Sequence, residues 1–251
     1  LKFAGNIDLS KIKKSNLTQI EIESFFIGTA GLLSNLKYRD EYIEQIKEKW
    51  EVLKTKYKPV IMNKAEWNFF RLRPQNFPTI RMAYASSFCV ELLYNNLFKR
   101  VILCFEKSIN AGKDLINLFL DIPLSGYWKN HYVFGKEITG NIKSIGQERV
   151  RDIITNVVLP LLYFYAEQFG RNNLKEKVTE YYFSAKEGSE NEVTRVMQKQ
   201  LNIKSKTISD SQGLIHLHNF YCVKGKCDEC VIGKQVFEKD SVKDVLKIIL
   251  Y

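Results

Sequence analysis

Asp40-Glu-Tyr-Ile43-Glu-Gln-Ile46-Lys-Glu-Lys-Trp50-Glu-Val-Leu53-Lys-Thr-Lys-Tyr57 decides the fold class of this chain. Ile43, Ile46, Trp50, Leu53 and Tyr57 recur at three and four residues, the spacing of one apolar face of an α-helix. Asp40 is a suitable N-cap for it, and Pro59 stops it.

The helical pattern continues in both directions. Upstream, Thr18 and Glu21 form a capping box. Phe25, Phe26, Thr29, Ala30 and Leu33 then repeat as one buried helix face. Gly28 and Gly31 weaken that helix, which implies close packing of another backbone there. Downstream, Trp67-Asn-Phe-Phe-Arg71-Leu-Arg73-Pro74-Gln-Asn76-Phe77-Pro78-Thr-Ile-Arg81 holds two prolines that forbid a continuous helix. Pro78 suits the first turn of a new helix. That helix runs to about Phe105, with a break at Asn95-Asn96. An aromatic-rich loop, Pro123 to Gly135, is expected to lie on the protein surface.

A long helix is expected from Gln147 to Phe169, with Val150, Ile153, Ile154, Val157, Val158, Leu161 and Leu162 on one stripe. Shorter helices follow around 178–183 and 193–201, and Ser209 or Asp210 caps the helix that leads to a cysteine cluster. No internal repeat, low-complexity tract or flexible linker stands out. The expected fold is therefore all-α: a compact multi-helix domain over residues 1–208. A terminal Cys-rich lobe, residues 209–251, packs on the same body.

The 251 residues suffice for one large domain or two small ones, and 45% hydrophobic with 26% charged content is ordinary for a globular protein. A formal net charge of +10 points toward polyanions, although Lys-rich coding bias produces the same excess without such a partner. The cysteine count is odd, and Cys89 and Cys104 lie in apolar helical stretches, so no secreted disulfide framework is expected. The chain start lacks the apolar run of a signal peptide. The longest apolar run, Val157 to Ala166, contains a proline and falls short of the roughly 20 residues of a membrane span. A cytoplasmic location is the default expectation. The absence of an initial methionine implies a fragment or a processed piece.

The chemistry-bearing residues gather near the end: Tyr221-Cys222-Val-Lys-Gly-Lys-Cys227-Asp-Glu-Cys230. Thiolates at this spacing suit zinc or an iron–sulfur cluster, each of which normally takes four protein ligands. His218 lies four residues before Cys222 and is the nearest fourth ligand, giving a Cys₃His set of Cys222, Cys227, Cys230 and His218. His131, Cys89 or Cys104 could replace it through long-range folding. Zinc is expected ahead of an iron–sulfur cluster. The plainer alternatives are a core histidine and a reduced, metal-free turn with no cofactor. The segment from Leu214 to Ile232 resembles the iron–sulfur tail of helix-hairpin-helix DNA glycosylases. Its first cysteine spacing is shorter, a fourth cysteine does not follow, and that family's hairpin motif is missing, so glycosylase chemistry is not implied.

Arg71, Arg73 and Arg81 surround a turn that feeds a helix start, a combination suited to phosphate. The alternative is structural: arginines locking an awkward turn onto Glu66 or Glu91. The aromatic neighbours Trp67, Phe69, Phe70 and Phe77 suggest burial and favour that alternative. Arg149 and Arg151 read as a solvated face.

Several segments together resemble the C-terminal half of an uncharacterised bacterial family of unknown function. They are Glu23-Ser-Phe-Phe-Ile-Gly28-Thr-Ala-Gly31-Leu-Leu, Asp40-Glu-Tyr42, Phe70 to Arg81, Tyr127-Trp-Lys-Asn-His-Tyr132, Asn156 to Pro160, Glu190-Asn191, Ser211 to Ile215 and the cysteine segment. Longer members carry an N-terminal region resembling the PD-(D/E)xK nuclease fold. The resemblance implies a helical partner to a nuclease-like domain.

The chain contains no P-loop, His-Glu-x-x-His, Gly-x-Ser-x-Gly or dinucleotide fingerprint. The expectation is a non-catalytic helical module that binds nucleic acid or a protein partner and carries a structural metal knuckle. The alternatives are the accessory half of a nucleic-acid-processing nuclease and a scaffold subunit of a larger assembly. No membrane partner is expected.

Overall fold

A computed structural model describes residues 2–142, 145–186 and 191–237. Glu190, quoted in the family resemblance, and residues 238–251 of the expected terminal lobe lie outside that set. Among the described residues the fold is all-α apart from one small hairpin and an isolated bridge between Lys186 and Thr207. Contacts divide the chain into two units, Leu1–Val150 and Arg151–Tyr251. The sequence pattern instead places a boundary at 208/209. That position falls in the first turn of the helix Ile208–Leu217, which packs against the helices Asn172–Ser184 and Glu192–Leu201.

In the first unit, α1 (Lys2–Gly5) and α2 (Leu9–Lys14) precede α3 (Gln19–Thr29). The α3 start is capped as expected: the Glu21 carboxylate accepts the Thr18 backbone N–H at 2.8 Å and its hydroxyl at 2.7 Å. Burial differs from the expectation of one apolar face, because every residue from Ile22 to Thr29 is buried. Both α4 (Glu41–Tyr57) and α5 (Pro78–Leu93) lie against α3, so it has lost its solvent side. Small residues permit this enclosure. Ser24 donates its hydroxyl to the Ile46 carbonyl at 2.6 Å, and the Trp50 ring of α4 covers Gly28 so closely that a Cβ there would collide with it. The close neighbour at Gly28 is thus an indole ring rather than a backbone. At Gly31 it is a backbone. Gly31 has φ +72°, next to the Met62 main chain, whose N–H donates to Thr29 O at 2.9 Å.

Helix α4 follows its sequence pattern: Asp40 accepts the Ile43 N–H at 2.8 Å, and Ile43, Ile46, Trp50 and Leu53 are buried. Helix α5 stops at Leu93, and Asn96 takes a left-handed φ of +53° before α6 (Leu97–Lys107) and α7 (Ala111–Leu120). The aromatic loop does more than rest on the surface, since Trp128 is fully buried in the core of this unit. The loop runs into an antiparallel hairpin of β1 (His131–Val133) and β2 (Lys136–Glu137), with Gly135 turning at φ +69°.

The second unit begins within the expected long helix, which is interrupted. Helix α8 (Gln147–Ile153) widens into a π-turn over Ile154–Val158 and resumes as α9 (Leu159–Gln168). The Leu159 N–H donates to Ile154 O, five residues back. The cause is Pro160, which has no N–H and whose ring would strike the carbonyl one α-turn earlier. The buried positions are Ile154, Val158, Leu159, Leu162 and Ala166. Val157 and Leu161, expected on the stripe, are 54% and 49% exposed. Next come α10 (Asn172–Ser184), α11 (Glu192–Leu201) and α12 (Ile208–Leu217). Thr207 is the cap of α12, and Asp210 answers it from the third position by accepting the Thr207 N–H at 3.0 Å. The expected caps, Ser209 and Asp210, lie inside the helix. Among the described residues no helix is long and apolar enough to cross a membrane.

The Gly28–Trp50 contact yields a stability prediction. Gly28→Ala should cost about 1–3 kcal/mol through overpacking, read as a lowered denaturant midpoint. Gly126→Ala, where a Cβ meets nothing within 4 Å, should leave the midpoint unchanged.

Candidate functional site

The arginine–proline segment lies on the surface. Arg71, Arg73 and Arg81 are exposed, and Phe70 is 73% exposed. The Arg71 guanidinium sits 5.0 Å from the centre of the Phe70 ring, a cation–π pair facing water. Arg81 donates to Asn76 Oδ1 at 3.2 Å across the short 3₁₀ turn Pro74–Asn76. Glu91 is engaged elsewhere: it accepts from Arg100 and from Asn95 at 2.7 Å each. Burial of the segment is confined to the helix start, where Pro78, Thr79 and Ile80 are covered and the Thr79 hydroxyl donates to Tyr132 O. The first turn of α5 is thus packed into the protein. The side-chain forks, rather than helix amides, face any anion. Arg71 also has φ +56°, a region an arginine enters at a cost of about 1–3 kcal/mol.

A second constellation was not anticipated from the sequence. Three segments quoted for the family resemblance meet inside the first unit. The Glu23 carboxyl, 1% exposed, accepts from Tyr42 OH at 2.7 Å and from Gln19 Nε2 at 3.2 Å. The Tyr42 oxygen in turn accepts the Trp128 indole N–H at 2.7 Å. Burial holds the Glu23 pKa above the ordinary carboxylate range, against the opposing hydrogen bonds of Tyr42, Ser125 and Gln19. The Tyr42 hydroxyl is also pushed up, by burial and then by the charge of Glu23, and stays protonated.

Outside this buried pair the rings form a column. Tyr42 stacks on Tyr127 at 4.1 Å, and Tyr127 on His131 at 3.9 Å, both at 11°. Tyr127 donates to Asp40 Oδ2 at 3.2 Å and receives the Gly135 N–H at 2.9 Å, while burial pushes its pKa up to about 12. The sequence signal for the buried pair was an acid, Glu23, directly before the uncharged apolar run that starts at Ser24. A capping reading uses Glu21 and passes over it.

The tail residues are placed as follows. His218 begins a π-turn, His218–Cys222, and its Nδ1 lies 2.9 Å from Asn219 Oδ1. The His218–Cys222 pairing presumed an α-turn; here the Val223 N–H reaches His218 O, five residues back. Cys222 and Cys227 are exposed and Cys230 is buried, all as free thiols. Among the described residues, no three His, Cys, Asp or Glu groups come together in a metal-holding arrangement. His131 is engaged in the aromatic column of the first unit, and Cys89 is buried there, with burial pushing its thiol up to about 11.

A family model described as a protein of unknown function, DUF2851, matches residues 1–192. The chain belongs to that family. The matched stretch contains the arginine segment and the whole Glu23–Tyr42–Trp128 network, and the cysteine tail lies beyond it. No curated protein and no solved structure matches the chain.

The raised Glu23 pKa carries a pH prediction. A group with a raised folded-state pKa contributes stability that is complete below its unfolded value, about 4.3, and lost as pH rises through the folded value. Glu21 and Asp210, both held low by hydrogen bonds, act with the opposite sign at acid pH. The difference between wild type and Glu23→Gln isolates the buried group. The variant should gain stability relative to wild type as pH is raised from about 4 to about 8, read by denaturant midpoints.

Proposed function

We infer that this chain is a non-catalytic helical module that holds nucleic acid through the arginine segment of its first unit. The supporting observation is the exposure of Arg71, Arg73 and Arg81 on the segment that carries a solvent-facing Phe70. Guanidinium forks recognise phosphate oxygens, and an aromatic face next to them stacks an unpaired base. The strained φ of Arg71 supports this reading, because backbone strain gathers at ligand-binding turns. The net charge of +10 supplies long-range attraction toward such a ligand.

Fluorescence anisotropy with a labelled single-stranded oligonucleotide tests this reading. Affinity should fall steeply with salt, and replacing Arg71, Arg73 and Arg81 together should lower the log–log salt slope by about 2. Arg71→Gly separates function from structure. It should weaken binding while leaving thermal stability equal or higher, since glycine accepts the positive φ freely. Salt-independent binding, or no loss in the triple variant, refutes the reading. Divalent-metal-dependent cleavage of the oligonucleotide would instead make the chain a nuclease component.

A further inference from the structure

We propose that Cys227 and Cys230 form a peroxide-sensitive dithiol that closes into an intramolecular disulfide. The two residues bracket a four-residue turn, Cys227-Asp-Glu-Cys230, in which the Cys230 N–H donates to Cys227 O at 3.3 Å. A turn closed from i to i+3 holds its end Cα atoms within about 7 Å, and a disulfide needs roughly 4.4–6.8 Å. The backbone on the far side fixes this geometry. The Lys234 N–H donates to Cys230 O at 2.8 Å, and Gly233 lies so near the Cys227 main chain that a Cβ would collide with it. Across the same turn Lys226 reaches both carboxylate oxygens of Glu229, at 3.0 and 2.9 Å.

Exposure assigns the two sulfurs different tasks. Cys227 is exposed and meets the oxidant, whereas Cys230 is buried and reaches only its neighbour. The Cys227 thiolate attacks one peroxide oxygen and the O–O bond breaks. The departing hydroxide takes up the thiol proton as water, leaving a sulfenic acid. The Cys230 sulfur then attacks the Cys227 sulfur and the S–O bond breaks. A second water leaves with the Cys230 proton. Two thiols and one hydrogen peroxide thereby give one disulfide and two waters. Cys222, also exposed, sits in a separate turn closed by the Gly225 N–H to Cys222 O at 3.1 Å, and is a bystander.

The test uses the full chain, reduced, freed of metal by a chelator, treated with hydrogen peroxide, alkylated and mapped by peptide mass spectrometry. A Cys227–Cys230 crosslink is expected, unchanged in Cys222→Ser and lost in Cys227→Ser. In Cys230→Ser, dimedone should trap a sulfenic acid at Cys227. A Cys222–Cys227 crosslink, intermolecular disulfides, or direct passage to sulfinic acid overturns the proposal. So does one zinc per untreated chain that shields these thiols from alkylation. Because the readout is covalent mass, it stands apart from the oligonucleotide measurement.

Discussion

The first unit depends on α3 having no solvent side. A helix enclosed all round must present something small wherever a large neighbour approaches, and Gly28 beneath the Trp50 indole is that place. The same enclosure determines the fate of Glu23. The Glu23 carboxyl has no route to water. It is stabilised by hydrogen bonds from Tyr42 and Gln19, and it favours its neutral form. Through Tyr42 and Trp128 the buried carboxyl connects α3, α4 and the aromatic loop. The position of the loop and hairpin therefore follows from the packing of one helix.

The arginine segment is built on the opposite principle. Arg71, Arg73 and Arg81 stand in water, on a segment whose prolines stop it from continuing as helix. Proline places the turn and Asn76 orients Arg81, so the guanidinium groups are presented by irregular backbone anchored to a buried helix start. A buried helix start beneath thus carries a conformationally strained surface turn above.

Much of the architecture was legible from periodicity. The α4 seam, the Asp40 cap, the Thr18–Glu21 capping box and the break at Asn95-Asn96 depend on local chemistry and appear as read. What escaped was set by neighbours distant in sequence. One-dimensional spacing cannot reveal that α3 is covered on both sides, so its apolar stripe was taken for its only buried face. Phe70 was grouped with Trp67, Phe69 and Phe77 as an aromatic cluster, but the turn at Arg71 directs it outward. Thr207 was missed as a cap because Asp210 is also a good cap residue, and only the backbone decides which one precedes the helix. The Glu23 network joins residues a hundred positions apart, and no spacing rule links them.

The proline in the second unit has an effect beyond its own turn. Residues four apart on an ordinary α-helix precess by about 40° per step, so Ile154, Val158, Leu162 and Ala166 would wind through about 120° of the cylinder. The extra residue taken up by the wide turn rewinds the phase by about 100°. Those four side chains thus stay nearer one side of the helix than their spacing alone allows, with Leu159 beside them, and α9 packs against α10. An alanine in place of Pro160 would remove the reason for the rewinding, and the four side chains would wind apart around the helix.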